Sequence, residues 1–238
     1  NYKKIMKYID IYPNNYFSIK LSSLNINKDI YLSRSYAIDI CEHAINNNCK
    51  ILIDAEDYKI QDIINNISSE LMYKYNFNNT HIYKTYQCYR KDSYNNIKKD
   101  IYEKNTQNYN LGVKLVRGAY YNQDYKYNIL YNNIEDTHNN YDNCIDLLFN
   151  KSNENDRIII ATHNNNSCNY ALEKKYLLKN ENILSYAQLM GMSDELSNDL
   201  SKNNKVFKYV PFGNLYESVP YLLRRLYENK DSIKYISK

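Results

Sequence analysis

A parallel sheet of strands alternating with helices and closed into a barrel is the fold class predicted by this sequence of 238 residues. Three observations carry that expectation. Short apolar runs recur roughly every 25 to 45 residues, too far apart for hairpins and right for crossover connections. Amphipathic helical stretches lie between them, and a parallel sheet has to be covered on both faces or closed on itself. Each run also ends in polar or charged residues, as strands do when their carboxyl ends meet at one mouth.

In order, the elements begin with a helical stretch at Lys3–Tyr12, and the first strand candidate is Tyr16–Leu21. Ile51–Ala55, His81–Tyr86, Val113–Val116, Ile158–Thr162, Ile183–Ala187 and Phe207–Val210 complete seven strands. The clearest helix is 58–75, where Ile60, Ile63, Ile64, Ile67 and Leu71 form one apolar stripe. Another is 217–230, with Val219, Leu222, Leu223 and Leu226 on one side and Pro220 in the first turn, where its missing N–H does no harm. The asparagine-rich stretch Asn132–Asn140 reads as a loop. Eight βα units take about 250 residues. The chain is therefore read as one barrel domain over 1–238, with the first of eight strands upstream of Asn1. A doubly wound nucleotide-binding sheet is the alternative, but four scattered glycines cannot supply a G-x-G-x-x-G turn.

Composition removes several function classes. No run approaches the ~20 apolar residues of a membrane span, and five cysteines without C-x-x-C spacing argue for free thiols rather than a disulfide framework or a zinc site. Four separated histidines make a metal centre unexpected, and a net charge of +4 on scattered lysines is no nucleic-acid footprint. Asparagine and tyrosine are inflated to 39 and 29 residues, while glycine, proline and arginine together number thirteen. Eight of those thirteen fall in 112–118 and 207–225, which marks these stretches as places where residue type matters.

In order, the strands end with or contain Lys20, then Asp54 and Glu56, then Gln87, then Lys114 and Arg117, then Thr162, His163 and Asn164, then Gln188, then Tyr209. Such groups at successive strand ends are expected to converge on a ligand. Arg224 and Arg225 stand on the last helix with Glu228 three and four residues on, which can explain one arginine as an ordinary ion-pair partner. Two arginines in a lysine-rich chain suit a carboxylate ligand, because the guanidinium fork is bidentate.

Tyr16-Phe-Ser-Ile-Lys-Leu, Leu52-Ile-Asp-Ala-Glu, Lys84-Thr-Tyr-Gln-Cys-Tyr, Gly112-Val-Lys-Leu-Val-Arg-Gly-Ala-Tyr, Ala161-Thr-His-Asn, Ala187-Gln-Leu-Met-Gly-Met-Ser-Asp, Lys208-Tyr-Val-Pro-Phe-Gly and Tyr221-Leu-Leu-Arg-Arg-Leu-Tyr-Glu-Asn together resemble the proline dehydrogenase family. The Asp-Ala-Glu and Thr-Tyr-Gln-Cys-Tyr forms are similar to its eukaryotic, mitochondrial branch. The resemblance implies a distorted (βα)8 barrel holding FAD, hydride transfer from L-proline to give Δ1-pyrroline-5-carboxylate, and electrons passed to quinone of the respiratory chain. It also implies a place on the matrix side of the mitochondrial inner membrane, with peripheral membrane association. Residue by residue, Gln87, Arg117, Gly118, Ala119, Thr162, His163 and Glu228 match flavin contacts, with Tyr121 beside the adenosine portion. Lys20, Tyr209, Arg224 and Arg225 match substrate contacts, with Leu189 as an apolar wall, and Asp54 and Lys114 match the catalytic positions. Many bacterial members carry Arg where Lys114 stands, so the charge is kept and the fork is lost. The partner that gates the first arginine in the family falls upstream of Asn1.

Three other readings stand beside this one. Hydroxyproline dehydrogenase shares fold and cofactor, although the bulk of Tyr209 leaves little room for an added hydroxyl. A barrel lyase would use Lys20 or Lys114 as a Schiff-base amine. A catalytically silent barrel would keep the fold as a binding protein.

Overall fold

The computed structural model describes residues 1–211 together with Val219 and Leu223. Its elements are helix α1 (Tyr2–Ile11), strand β1 (Tyr16–Ile19), a 3-10 turn (Leu21–Leu24), α2 (Ile30–Asn46), β2 (Lys50–Ile53), α3 (Tyr58–Tyr75), β3 (Ile82–Gln87), α4 (Ser93–Gln107) and β4 (Gly112–Val116). They continue with the short α5 (Tyr121–Asp124), α6 (Ile134–Lys151), β5 (Arg157–Ala161), α7 (Asn165–Glu173), β6 (Leu184–Leu189), α8 (Asp194–Ser201) and β7 (Lys205–Tyr209). The seven strands pair in sequence order, every pairing parallel. The sheet curls until its outer strands meet on the concave side: the rings of Tyr16 on β1 and Phe207 on β7 are 4.4 Å apart, and Lys205 Nζ donates to the Tyr16 hydroxyl at 3.3 Å. This is the curled, helix-covered barrel wall the sequence predicts, seven strands of it.

Strand alternation sorts the core. On β2, Ile51 and Ile53 face outward into the main core between sheet and helices, whereas Leu52 joins Tyr83 and Ile159 in a small apolar floor inside the curl, flanked by Tyr16, Ala161, Ala187 and Phe207. Residues of both faces of the sheet are buried, which is why β2 and β5 read as nearly continuous apolar runs. Helix α3 lays Ile60, Ile64, Ile67 and Leu71 on the sheet, the stripe expected from spacing.

The stretch 132–140 departs from expectation. Only its first residues are loop; Asn133 caps α6 by accepting from Asp136 N at 2.7 Å, and Tyr141, Cys144, Ile145, Leu148 and Phe149 then bury one face. Asparagine serves elsewhere as well. Asn14, Asn25, Asn48, Asn108 and Asn128 adopt left-handed backbone, the duty glycine usually performs, so part of the asparagine excess does structural work in a chain with four glycines. The five cysteines are free and buried. The helix expected over 217–230 lies outside the described residues apart from Val219 and Leu223.

Candidate functional site

Because all strands run the same way, the carboxyl ends of β1 to β7 form one rim. On it, Lys114 Nζ from β4 donates to Asp54 Oδ1, just past β2, at 2.7 Å, and reaches Ser18 Oγ on β1 at 3.4 Å. Both partners are mostly shielded, with side-chain exposures of 13% and 14%. The Lys114 ammonium also lies 5.9 Å from the Tyr209 ring centre on β7. Three sequence-chosen residues from distant parts of the chain thus meet.

Lys20 stands on the same rim, its Nζ donating to the Tyr120 hydroxyl at 3.0 Å. Burial pulls the Lys20 pKa down, but the Tyr120 hydrogen bond, with Asp54 and Glu56 nearby, outweighs it and leaves the ammonium favoured above its ordinary value. Tyr120 itself is pushed up by burial against the pull of Lys20. The next residue, Tyr121, is the one that the resemblance sets beside the adenosine portion of the flavin. Tyr121 is half exposed and its ring neighbours Tyr125 at 5.6 Å, whereas Tyr120 is the residue joined to the polar cluster. Tyr120 is not among the site residues expected from the sequence, although it closes the Lys114–Tyr120 run.

Glu56 is buried and acts as a latch. Its carboxylate accepts from Ser22 N at 2.9 Å and from the Ser22 hydroxyl, pinning the turn that follows Lys20. Its backbone is held in turn, with Glu56 N donating to Gln61 Oε1 at 2.7 Å and Gln87 Nε2 donating to Glu56 O at 2.9 Å. Gln87 Oε1 accepts from Tyr89 at 3.2 Å, so both ends of its amide are engaged in the protein. Gln188 is likewise structural, bridging Thr162 O at 3.2 Å and Ser197 Oγ at 3.0 Å.

A second cluster sits over β4 and β5. The Arg117 guanidinium donates to His138 Nδ1 at 3.0 Å, Thr162 Oγ1 at 2.7 Å and Ser167 Oγ at 3.0 Å, and lies 4.5 Å from the Tyr141 ring. The three acceptors are two hydroxyls and an imidazole nitrogen, and among the described residues the carboxylate of this network, Asp142, is reached through Ser167 Oγ at 2.8 Å. Burial holds Asp142 above the usual carboxylate range despite Ser167 and Arg117. The Arg117 charge is thus available to an anionic ligand, the condition a nucleotide cofactor's phosphates impose. Gly118 follows with φ +137°, and a Cβ there would fall 1.3 Å from the Tyr89 ring, so only glycine lets the chain turn here, with Ala119 exposed beyond it.

His163, next to Thr162, turns toward β6 and the start of α8: Nδ1 lies 3.1 Å from Ser193 Oγ, and Nε2 accepts from Leu189 N at 3.4 Å. Burial, then Lys208, lowers its pKa, and burial, then Lys50, lowers that of His81 at the opposite end of the strands. In both cases the unfolded chain takes up a proton at a higher pH than the folded chain. The stability these neutral imidazoles contribute is therefore complete above about pH 6.5 and drains as pH falls through their lowered folded values. We expect Tm to drop between about pH 7.5 and about pH 5.5, and by less in a His81→Asn variant. An unchanged drop, followed by circular dichroism, would show that His81 charges freely in the folded state.

Arg224, Arg225 and Glu228 lie outside the described residues. Among the described residues no helix is long and apolar enough to cross a membrane.

The model of the proline dehydrogenase family matches residues 2–238. The chain is similar to "Proline dehydrogenase 1, mitochondrial" of Caenorhabditis elegans, 33% identical over 84% of this chain and 35% of that protein. It is also similar to the protein of the same name from Dictyostelium discoideum, 38% identical over 77% of this chain and 35% of that one. It spans about a third of the length of these relatives. In fold it resembles the crystal structure of a bifunctional proline utilization A protein, with a TM-score of 0.81 at 20% identity over 96% of this chain and 26% of that chain.

Proposed function

The chain belongs to the proline dehydrogenase family, and from that premise we propose that the protein oxidises L-proline to Δ1-pyrroline-5-carboxylate with FAD, residues 1–238 forming part of one catalytic barrel. The observation that carries the reading is the Asp54–Lys114 ion pair, 2.7 Å long and shielded at the carboxyl end of the sheet, with Lys20 and Tyr209 around it. Proline oxidation needs such a group: the amine nitrogen must shed its proton before its lone pair can form the imine, and Asp54 is placed to take or steer that proton. Lys114 keeps a cation beside it, and Lys20, Arg224 and Arg225 are assigned to the substrate carboxylate, with Leu189 and Tyr209 shaping the apolar wall.

The Arg117 cluster fits a flavin nucleotide, because among the described residues its guanidinium donates to two hydroxyls and an imidazole nitrogen and to no carboxylate. Arg117, Gly118, Ala119, Thr162 and His163, with Gln87, Tyr121 and Glu228, would hold FAD, which when bound supplies the two-electron acceptor. Electrons then pass to quinone of the respiratory chain, and the enzyme works on the matrix side of the mitochondrial inner membrane in peripheral association with it. The mitochondrial names of the relatives support that location.

The test is spectroscopic. Purified full-length protein is expected to carry non-covalent FAD and to lose its visible absorbance when mixed anaerobically with L-proline. A colourless protein that FAD cannot reconstitute overturns the assignment, and faster bleaching by 4-hydroxyproline than by proline transfers it to that substrate.

A further inference from the structure

Strand register places one residue between the two members of the ion pair. Thr85 on β3 pairs with Lys114 on β4, and Lys84 pairs with Ile53 on β2, which sets Asp54 beside Thr85 on the other side. Neighbouring strands are about 4.8 Å apart, so β2 and β4 are separated by roughly 10 Å. An ion pair 2.7 Å long that joins them must arch over β3. Thr85 is the β3 residue under the arch, facing the same concave side: its neighbours Lys84 and Tyr86 both turn outward to Asp100 on α4.

Thr85 is 4% exposed, and its Oγ1 has no hydrogen-bond partner among the described residues. The apolar floor of Leu52, Tyr83 and Ile159 shares this concave face, and a valine of the same shape would pack there without a polar atom to satisfy. Asp54 and Lys114, the register neighbours of Thr85, bring their carboxylate and ammonium to the same concave side, with the Ser18 hydroxyl 3.4 Å from that ammonium. A buried water needs two to four polar partners, and these groups with Thr85 Oγ1 provide them.

We propose that Thr85 is a positioning residue whose hydroxyl seats an ordered water beneath the Asp54–Lys114 pair, holding the carboxylate aimed into the mouth. The role rests on the proline-oxidation reading. A hydrogen bond to a charged group has directional strength that a packed methyl lacks, so the water fixes the carboxylate's angle without touching substrate. Substrate affinity, set elsewhere on the rim, is left alone.

Full-length Thr85→Val is expected to lower kcat about tenfold while KM for proline, flavin content and Tm stay near wild type, and Thr85→Ser, which restores the hydroxyl, is expected to recover most of that loss. A crystal structure of the full-length protein that resolves ordered water should show one within about 3.2 Å of Thr85 Oγ1 and shared with Asp54 or Lys114, gone from the valine variant. Wild-type kcat in Thr85→Val, equal impairment in Thr85→Ser, or an Oγ1 bonded to something other than that water overturns the proposal. If the wild-type flavin is not reduced by proline, the functional reading falls, and the water at Thr85 still decides the seat by itself.

Discussion

Asp54→Asn in the full-length protein is expected to lower kcat by about a hundredfold or more, the scale of a lost proton acceptor, with flavin content and Tm close to wild type. The amide keeps an oxygen in the place of Oδ1, so Lys114 Nζ retains an acceptor and the fold loses little. What disappears is the negative charge that can receive or draw off the amine proton. Lys114→Met should impair turnover too, and the double variant should be hardly worse than the poorer single one, because two groups 2.7 Å apart act as a unit. Stopped-flow reduction of the flavin by proline, followed across pH, measures the step directly. Equal rates for Asp54→Asn and wild type would make solvent the proton acceptor and the Asp54–Lys114 pair a structural ion pair.

That pair is legible in the sequence because short apolar runs that end with or contain a polar or charged group stand out, and they identify both the strand and the rim. Asp54, Lys20 and Tyr209 stand at or beside the ends of such runs, and Lys114 stands out as the ammonium inside Val113–Val116. What the strand ends do not reveal is which way each residue faces or what it meets. Glu56 and Gln188 end their strands as prominently as Asp54 does, yet one pins Ser22 and the other ties Thr162 to Ser197. Thr85 sits mid-strand in Lys84-Thr-Tyr-Gln, where a lone hydroxyl carries no signal; it gains meaning only from the pairing of β2, β3 and β4. The start of α6 was hidden differently. Residues 134–140 are polar and asparagine-rich, and Asn133 is one asparagine among 39, so its capping bond could not be told from background.

The largest stability effect is expected far from the rim, at the amino ends of the strands. Lys104 on α4 and Asp156, just before β5, form an ion pair with side-chain exposures of 1% and 2%. Asp156 is a junction: Oδ1 accepts from Leu111 N at 2.7 Å, where β4 begins, and Oδ2 accepts from Asn153 N at 2.8 Å as well as from Lys104 Nζ. Lys104 also donates to Lys151 O at 3.2 Å at the end of α6. Three chain segments are thus pinned by two charges, both out of water. Replacing Lys104 by Met leaves the carboxylate buried with only backbone donors, which costs about 3–5 kcal/mol, the usual penalty for breaking a buried pair from one side. At about 2–4 °C per kcal/mol for a chain of this size, Tm should fall by about 10 °C. Adding Asp156→Asn removes the stranded charge while its side-chain oxygen still accepts from Leu111 N, so the double variant should recover part of the loss. Turnover per flavin-loaded molecule should match wild type throughout, the reverse of the Asp54→Asn pattern. A Lys104→Met variant with unchanged Tm would mean that water reaches Asp156, and a double variant no more stable than the single would mean that the lysine contributes its packed stem rather than its charge.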